Sequence, residues 1–219
     1  MLYLLQHSCT KTAISGFVLA GGRSSRLHQD KVLLPWNGGT LLDHAIQRLQ
    51  QVSDPVRVCA DRQDLPQPAI PDALPNAGPL AGIVAGLEES ETEWNLFLAV
   101  DLPLLPVQVL QMLALHANDS ETAVCVLPQV DGRPQPLCGL YHRALLQGLR
   151  NALNVGKYKV MLALEDSIHA LPLSAAHLKS LNAEQFQSDW FLNINTPNDL
   201  QRARELSGNT TFPISAIFK

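Results

Sequence analysis

Ile14-Ser15-Gly16-Phe17-Val18-Leu19-Ala20-Gly21-Gly22-Arg23-Ser24-Ser25-Arg26 is the stretch that decides the fold. Its first seven residues are mostly apolar, and Gly21-Gly22 cut the run off. A short apolar run closed by such a turn signal reads as a buried strand ending in a glycine loop. From Thr40 to Gln51, Leu42, Ala45, Ile46 and Leu49 fall at i, i+3, i+4 and i+7, one apolar stripe of a helix opened by the capping pattern Thr40-x-x-Asp43. Val56 to Ala60 reads as a second strand. Asp64 to Pro79 is too rich in proline for a regular element. Pro79 then starts a helix with Leu80, Ile83, Val84 and Leu87 on one stripe.

The alternation continues. Asn95 to Val100 predicts a strand stopped by Asp101-Leu102-Pro103; Leu110, Leu113, Ala114 and Ala117 predict a helix; Thr122 to Leu127 predicts a strand. Repeated strand and helix imply an α/β fold with a mostly parallel sheet covered by helices on both faces. Beyond Pro128 the pattern is less regular. Leu145, Leu149 and Ala152 suggest a helix, Lys157 to Leu164 another, and Phe191 to Ile194 a short strand. Thr196 as N-cap, Pro197 at the first helical position and Asp199 at the third begin a final helix.

Composition limits the function classes. With 219 residues, 46% hydrophobic and 16% charged, the chain can bury a core without disulfide or metal staples. A net charge of −4 argues against nucleic-acid binding, whose usual footprint is a basic face. An anionic ligand must then be held by local cations. Cys9, Cys59, Cys125 and Cys138 show no C-x-x-C spacing, which fits a reducing compartment and neither a zinc site nor a disulfide framework. The opening Met1-Leu2-Tyr3-Leu4-Leu5 is too short for a signal core, and no stretch approaches the ~20 apolar residues that span a bilayer. Residues 1–13 read as a flexible extension, with a cytoplasmic location expected and no membrane partner.

In open α/β sheets ligands bind beyond the carboxyl ends of the strands, so the loops there carry the chemistry. After the first strand, Gly21 and Gly22 let backbone N–H groups approach a phosphate, with Arg23, Arg26 and Lys31 as cations beside them. The loop matches neither the P-loop nor the dinucleotide fingerprint, and a glycine turn with solvated charges is the competing reading. Asp101, ending the Asn95–Val100 strand, sits where Mg²⁺ bridging nucleotide phosphates would need a carboxylate; capping the helix after Pro103 is its alternative role. Gly78-Pro79-Leu80-Ala81-Gly82 puts backbone donors at a helix start, while Gly82 and Gly86, four apart, favour close packing of that helix. Asn193 and Asn195 could complete a ligand shell or simply build a turn. No nucleophile elbow, H-E-x-x-H pair or Cys–His couple is present, and His44 and His142 read as satisfied structural residues. An acceptor that is already an ionised phosphate needs no general base, only positioning and charge neutralisation.

Taken in order, these loops resemble the molybdenum cofactor guanylyltransferase (MobA) family. The matching stretches are Leu19 to Arg26, Asp30-Lys31-Val32-Leu33-Leu34-Pro35-Trp36, Gly78 to Gly82, Asp101-Leu102-Pro103, Arg133-Pro134-Gln135-Pro136-Leu137 and Asn193-Ile194-Asn195-Thr196-Pro197. The resemblance implies a three-layer Rossmann-like nucleotidyltransferase fold. It implies one domain over 14–207, with 14–128 holding the nucleotide, 129–207 facing the acceptor, and 208–219 as a tail. It implies transfer of GMP from GTP to Mo-molybdopterin with Mg²⁺, releasing pyrophosphate. Leu19, Ala20, Gly21 and Gly22 would hold the nucleotide, Lys31 would contact it, and Asp72 and Asp101 would lie in the GTP site. Asp101 would be the magnesium ligand, and Arg26, Lys31 and Asp101 the catalytic set. Asn193 and Asn195 would lie on the acceptor side, with Gly132 to Leu137 and Gly156 to Met161. Other molybdenum cofactor biosynthesis proteins and acceptor molybdoenzymes would be further partners.

Two departures from the family pattern stand out. Leu27-His28 follow Arg26 where Met-Gly is common, and Cys59 stands where a nucleotide-contacting Asn is common, leaving that contact to a backbone group or Asp61. Two other functions stay open: a cytidylyltransferase using CTP, whose group tends to read Leu-Ala-Ala-Gly where Gly21 is third here, and a nucleotide-binding regulatory module without turnover.

Overall fold

The computed structural model describes residues 12–21, 27, 29–62, 64–119, 124–164, 168–172 and 188–208. Residues 1–11 of the expected 1–13 extension (Cys9 among them), the loop residues 22–26, and residues 209–219 of the expected 208–219 tail lie outside them.

Strand β1 (Ile14–Leu19) is buried along its whole length and forms the sheet's centre. It pairs in parallel with β4 (Val56–Cys59) and β6 (Trp94–Ala99), Leu19 lying beside Cys59 on one side and Ala99 on the other. These three strands therefore end level, and their following loops share one edge. The Pro-rich connection is not wholly irregular: its Ala69–Ile70 pair forms a two-residue strand, β5, parallel to β4. Pro71 directly after it ends the run.

The sequence reading missed the short strands, the strand at the sheet's far edge and one strand inside the sheet. Between β6 and β7 (Cys125–Val130) lies β9 (Cys138–His142), antiparallel to both. The short turn through Asp131 and Gly132 and the pair Arg133–Pro134 (β8) send the chain back beside β7. β10 (His169–Pro172) runs parallel to β7 at the edge. Among the described residues the sheet thus holds eight strands, ordered β10-β7-β9-β6-β1-β4-β5 with β8 paired to β7. A separate two-stranded ribbon joins β2 (Pro35–Trp36) and β3 (Gly39–Thr40).

Alternation along the strands separates two cores. Val18, Leu96, Leu98, Val126 and Leu140 face α1 (Leu41–Leu49), α3 (Val107–Asp119) and α6 (Pro197–Leu206). Phe17, Leu19, Phe97, Leu127 and Tyr141 face α2 (Pro79–Glu89), α4 (Leu146–Asn154) and α5 (Val160–Leu164). Period-two alternation sends neighbouring residues to opposite faces, so a strand apolar throughout feeds both layers. The three-layer α/β arrangement is as expected.

α2 is not the amphipathic helix its stripe suggested: every residue from Leu80 to Leu87 is buried. Gly86 explains its closeness to the sheet, since a Cβ there would lie 2.8 Å from Phe97 and 3.0 Å from Phe17. Those two rings stack at 5.0 Å, so the packing role of the glycines is real.

Three smaller expectations need correction. Phe191 to Ile194 is not a strand: a 3₁₀ turn covers Ser188–Phe191, and a single backbone bond ties Ile194 N to Asp101 O at 3.0 Å. The helix expected from Lys157 begins only at Val160, and the strand expected from Thr122 begins at Cys125. The caps of α1 and α6 are as read: Thr40 with Asp43 and Thr196 with Asp199 each complete a reciprocal capping box. Cys59, Cys125 and Cys138 are free and buried, and burial raises each thiol's pKa. Among the described residues no helix is long and apolar enough to cross a membrane.

Candidate functional site

The level ends of β1, β4 and β6 floor a cavity of about 520 Å³. Its lining includes Leu19, Ala20, Gly21, Lys31, Cys59, Asp61, Arg62, Asp72, Asn76, Gly78, Gly82, Val100, Asp101 and Leu137. The floor is held by strand-end bonds: Ala20 N donates to Cys59 O at 2.9 Å, Val100 N to Leu19 O at 3.1 Å, and Ala99 N to Leu137 O at 2.7 Å.

The polar cluster at one end joins residues far apart in sequence. Lys31 opens a 3₁₀ turn whose Asp30 cap accepts from Val32 N at 3.1 Å. Its Nζ donates to Asp101 Oδ2 at 2.8 Å and to Asn195 Oδ1 at 2.9 Å. Lysine and aspartate side chains are only 16% and 15% exposed, so their attraction is screened less than a surface pair's. Asp101 does not cap α3, which begins six residues later at Val107. Its other oxygen, Oδ1, is buried with no hydrogen-bond partner. A buried carboxylate oxygen left without a donor is costly unless a ligand completes it. A carboxylate in the cavity lining, beside a lysine and with one oxygen unsatisfied, is chemistry that fits a hard divalent cation.

Asn195 is held in turn by the start of α6. Asp199 Oδ2 accepts from Asn195 N at 3.0 Å and from Thr196 N at 2.7 Å. Burial alone would raise the Asp199 pKa, but these bonds, the Thr196 hydroxyl and the charge of Lys31 together bring it below the ordinary carboxylate range. Asn193, two residues earlier, is exposed and has no hydrogen bond to Lys31 or Asp101. The structure brings Asn195 to the cluster and leaves Asn193 outside it.

The far end of the cavity is acidic and narrow. Asp72 lies against the two glycines: a Cβ on Gly82 would be 3.4 Å from its Oδ1, and one on Gly21 would be 3.7 Å from its Oδ2. Burial first, and the charge of Asp61 second, raise the Asp72 pKa. Cys59 forms an apolar wall there, its thiol pKa raised by burial and by Asp72. Gly22 and Arg26, read as loop and catalytic residues, lie outside the described residues.

Three site residues escaped the sequence reading. Arg62 lines the cavity and binds Asp30 at 2.5 Å and Asp64 at 2.6 Å, linking the loop after β4 to the residue before Lys31. Its position three residues past Cys59 was the available signal. Asn76 lines the same end. Arg48 contacts the backbone just after Asp101. Among the described residues no histidine lines the cavity. Burial, then the Arg48 charge, takes His44 down to about 4 despite an opposing bond to Pro103, so it is neutral at pH 7. His142 accepts from Ala144 N at 3.2 Å as a turn cap.

Residues 16–170 match the model of the MobA-like NTP transferase domain. A molybdenum cofactor guanylyltransferase of Yersinia pestis is 37% identical over 201 residues, covering 85% of this chain and 92% of its own. A probable molybdenum cofactor guanylyltransferase of Flavobacterium johnsoniae is 29% identical over 190 residues, covering 85% of this chain and 94% of its own. The crystal structure of molybdopterin-guanine dinucleotide biosynthesis protein A from Archaeoglobus fulgidus superposes with a TM-score of 0.74 at 23% identity, over 90% of this chain and all of that one.

Proposed function

The chain belongs to the MobA-like NTP transferase family, and from that premise we propose that it transfers GMP from GTP to the terminal phosphate of Mo-molybdopterin. The products are the guanine dinucleotide form of the cofactor and pyrophosphate. The observation that carries this reading is the Lys31–Asp101 pair in the lining of the cavity beyond β1 and β6, tied to Asn195 and with Asp101 Oδ1 unpartnered.

In this reading the nucleotide lies across the strand ends. Leu19, Ala20, Gly21 and Gly22 present backbone to the phosphates, and the room beside Gly21 and Gly82 toward Asp72 takes the nucleoside. Lys31 and Arg26 neutralise phosphate charge. Asp101 would hold the Mg²⁺, its carboxylate being the hard oxygen ligand such an ion takes. When bound, the ion neutralises charge on the triphosphate and leaving pyrophosphate. An ionised oxygen of the acceptor phosphate attacks the α-phosphorus in line; the new O–P bond forms as the bond to the β-phosphate oxygen breaks. No proton has to be removed, so no base is required, and neither His44 nor His142 lines the cavity. The work is positioning and charge stabilisation.

Residues 129–207 supply the acceptor side through Asn195, Asn193, Gly132 to Leu137 and Gly156 to Met161, and residues 14–128 the nucleotide side. A cytoplasmic enzyme of this kind would meet other molybdenum cofactor biosynthesis proteins and the acceptor molybdoenzymes. The test is pyrophosphate release from purified protein with Mg²⁺, Mo-molybdopterin and either GTP or CTP. Release with GTP in preference to CTP is expected. Preference for CTP would overturn the guanylyl reading, and GTP binding without release would make the chain a regulatory module.

A further inference from the structure

The backbone that carries Asp101 is a turn with too few donors of its own. It reads Asp101-Leu102-Pro103-Leu104-Leu105-Pro106. Leu105 N donates to Leu102 O at 3.2 Å. The equivalent donor for Pro103 O, one residue on, would be residue 106, a proline without an N–H. Leu102 and Pro103 are buried, and an unpaired carbonyl there is costly.

Arg48, in the last turn of α1 and 54 residues before Leu102, adds donors to this turn: one on Leu102 O beside the Leu105 N bond, and one on Pro103 O, which His44 also reaches. Its Nη1 donates to Leu102 O at 3.0 Å and its Nη2 donates to Pro103 O. On the other side of Asp101, Val100 N donates to Leu19 O and Ile194 N donates to Asp101 O. The backbone around one carboxylate is thus tied to β1, to α1 and to the segment before α6. Among the described residues Arg48 has no carboxylate partner, and burial lowers its pKa to about 10. What the guanidinium alone can do is hold two successive carbonyls with one rigid fork.

We propose that Arg48 is a positioning residue for the transfer reaction: by fixing the 101–106 turn, it holds the Asp101 carboxylate in the cavity lining, where it would bind the divalent ion. The inference rests on the reading of Asp101 as the metal ligand. Arg48 lies outside the lining of the nucleotide cavity, so it acts through the turn and not on substrate.

The test compares the full-length wild type with Arg48→Met and Arg48→Lys. Three quantities are read: the Mg²⁺ concentration giving half-maximal rate, GTP affinity in EDTA, and amide exchange across residues 100–105. Loss of a group that orients a metal ligand lowers metal affinity by about 10–100-fold. Arg48→Met should therefore raise the half-activating Mg²⁺ at least about tenfold and speed exchange in the turn, while metal-free GTP affinity stays within about twofold. Arg48→Lys, which keeps the charge but not the fork, should fall between; if Arg48→Met does not fold, Arg48→Lys decides on the same readings. A folded variant with a looser turn and unchanged Mg²⁺ requirement would overturn the proposal and leave Arg48 a purely structural residue. A wild type working at full rate in EDTA would instead remove the metal role of Asp101, and this inference with it.

Discussion

Replacing Asp101 with alanine separates what the two carboxylate oxygens do. Oδ2 holds Lys31 at 2.8 Å, while Oδ1 is buried without a protein partner. If Oδ1 anchors the ion, its loss removes charge stabilisation that is strongest in the transition state. A group of that kind contributes on the order of 10³ in rate, about 4 kcal/mol. Nucleotide binding without metal should move the other way. The substitution removes a negative charge next to the triphosphate and releases Lys31 from its ion pair, while Asn195 still accepts from Lys31 at 2.9 Å. Both changes favour the nucleotide, by about 1 kcal/mol or roughly fivefold for a partly screened pair. Asp101→Ala should therefore lower kcat about a thousandfold in Mg²⁺ while GTP binding in EDTA is unchanged or tighter, measured by pyrophosphate release and calorimetry. In Mg²⁺, GTP binding should weaken, but far less than the rate. Losing the half-buried pair should cost about 1–3 kcal/mol of stability, so folding is checked by circular dichroism at the assay temperature. A folded Asp101→Ala protein with kcat within tenfold of wild type would refute the reasoning, because the metal would then be held elsewhere.

Two predictions concern the scaffold. Gly86→Ala gains about 1 kcal/mol of helix propensity, but its Cβ would meet Phe97 at 2.8 Å and Phe17 at 3.0 Å. Both rings are fully buried, so overpacking of about 1–3 kcal/mol should win and thermal unfolding should show a lower Tm; an unchanged or higher Tm would contradict the tight α2 packing. For Asp199, the folded pKa lies below the unfolded 3.8, so its ionised form adds stability above that pH, and the contribution fades as pH falls through the folded value. Asp199→Asn should thus be less stable than wild type at pH 6 in urea titrations, with the gap closing below about pH 4; a gap independent of pH would mean that charge plays no part in holding Asn195.

Much of this protein is written locally. Ile14 to Gly21 states its strand and loop through apolar run and glycine. Thr40 with Asp43, and Thr196-Pro197 with Asp199, state two helix starts through contacts three residues apart. Side chains so close in sequence meet whatever the rest of the chain does, which is why those features were legible. Asp101 was legible too, because a carboxylate at a strand end sits at the ligand edge of any such sheet.

What the tertiary structure alone decided involves partners far apart. Cys138 to His142 became a reversed central strand because β6 and β7 left a gap between them, a fact no local pattern carries. Phe191 to Ile194 looked like a strand, yet the one described backbone bond it makes to the sheet region is from Ile194 to Asp101, enough to carry Asn195 to Lys31 across 164 residues but not enough to form a ladder. Arg48 gave no signal at all, since its meaning depends on two carbonyls of a distant turn, one of them deprived of its turn donor by Pro106. The sequence by itself determined the main strand-and-helix order as far as Leu127 and which loops carry charge; only the packed sheet decided which charges meet, because ion pairs and orphaned carbonyls are settled by distance in space and not along the chain.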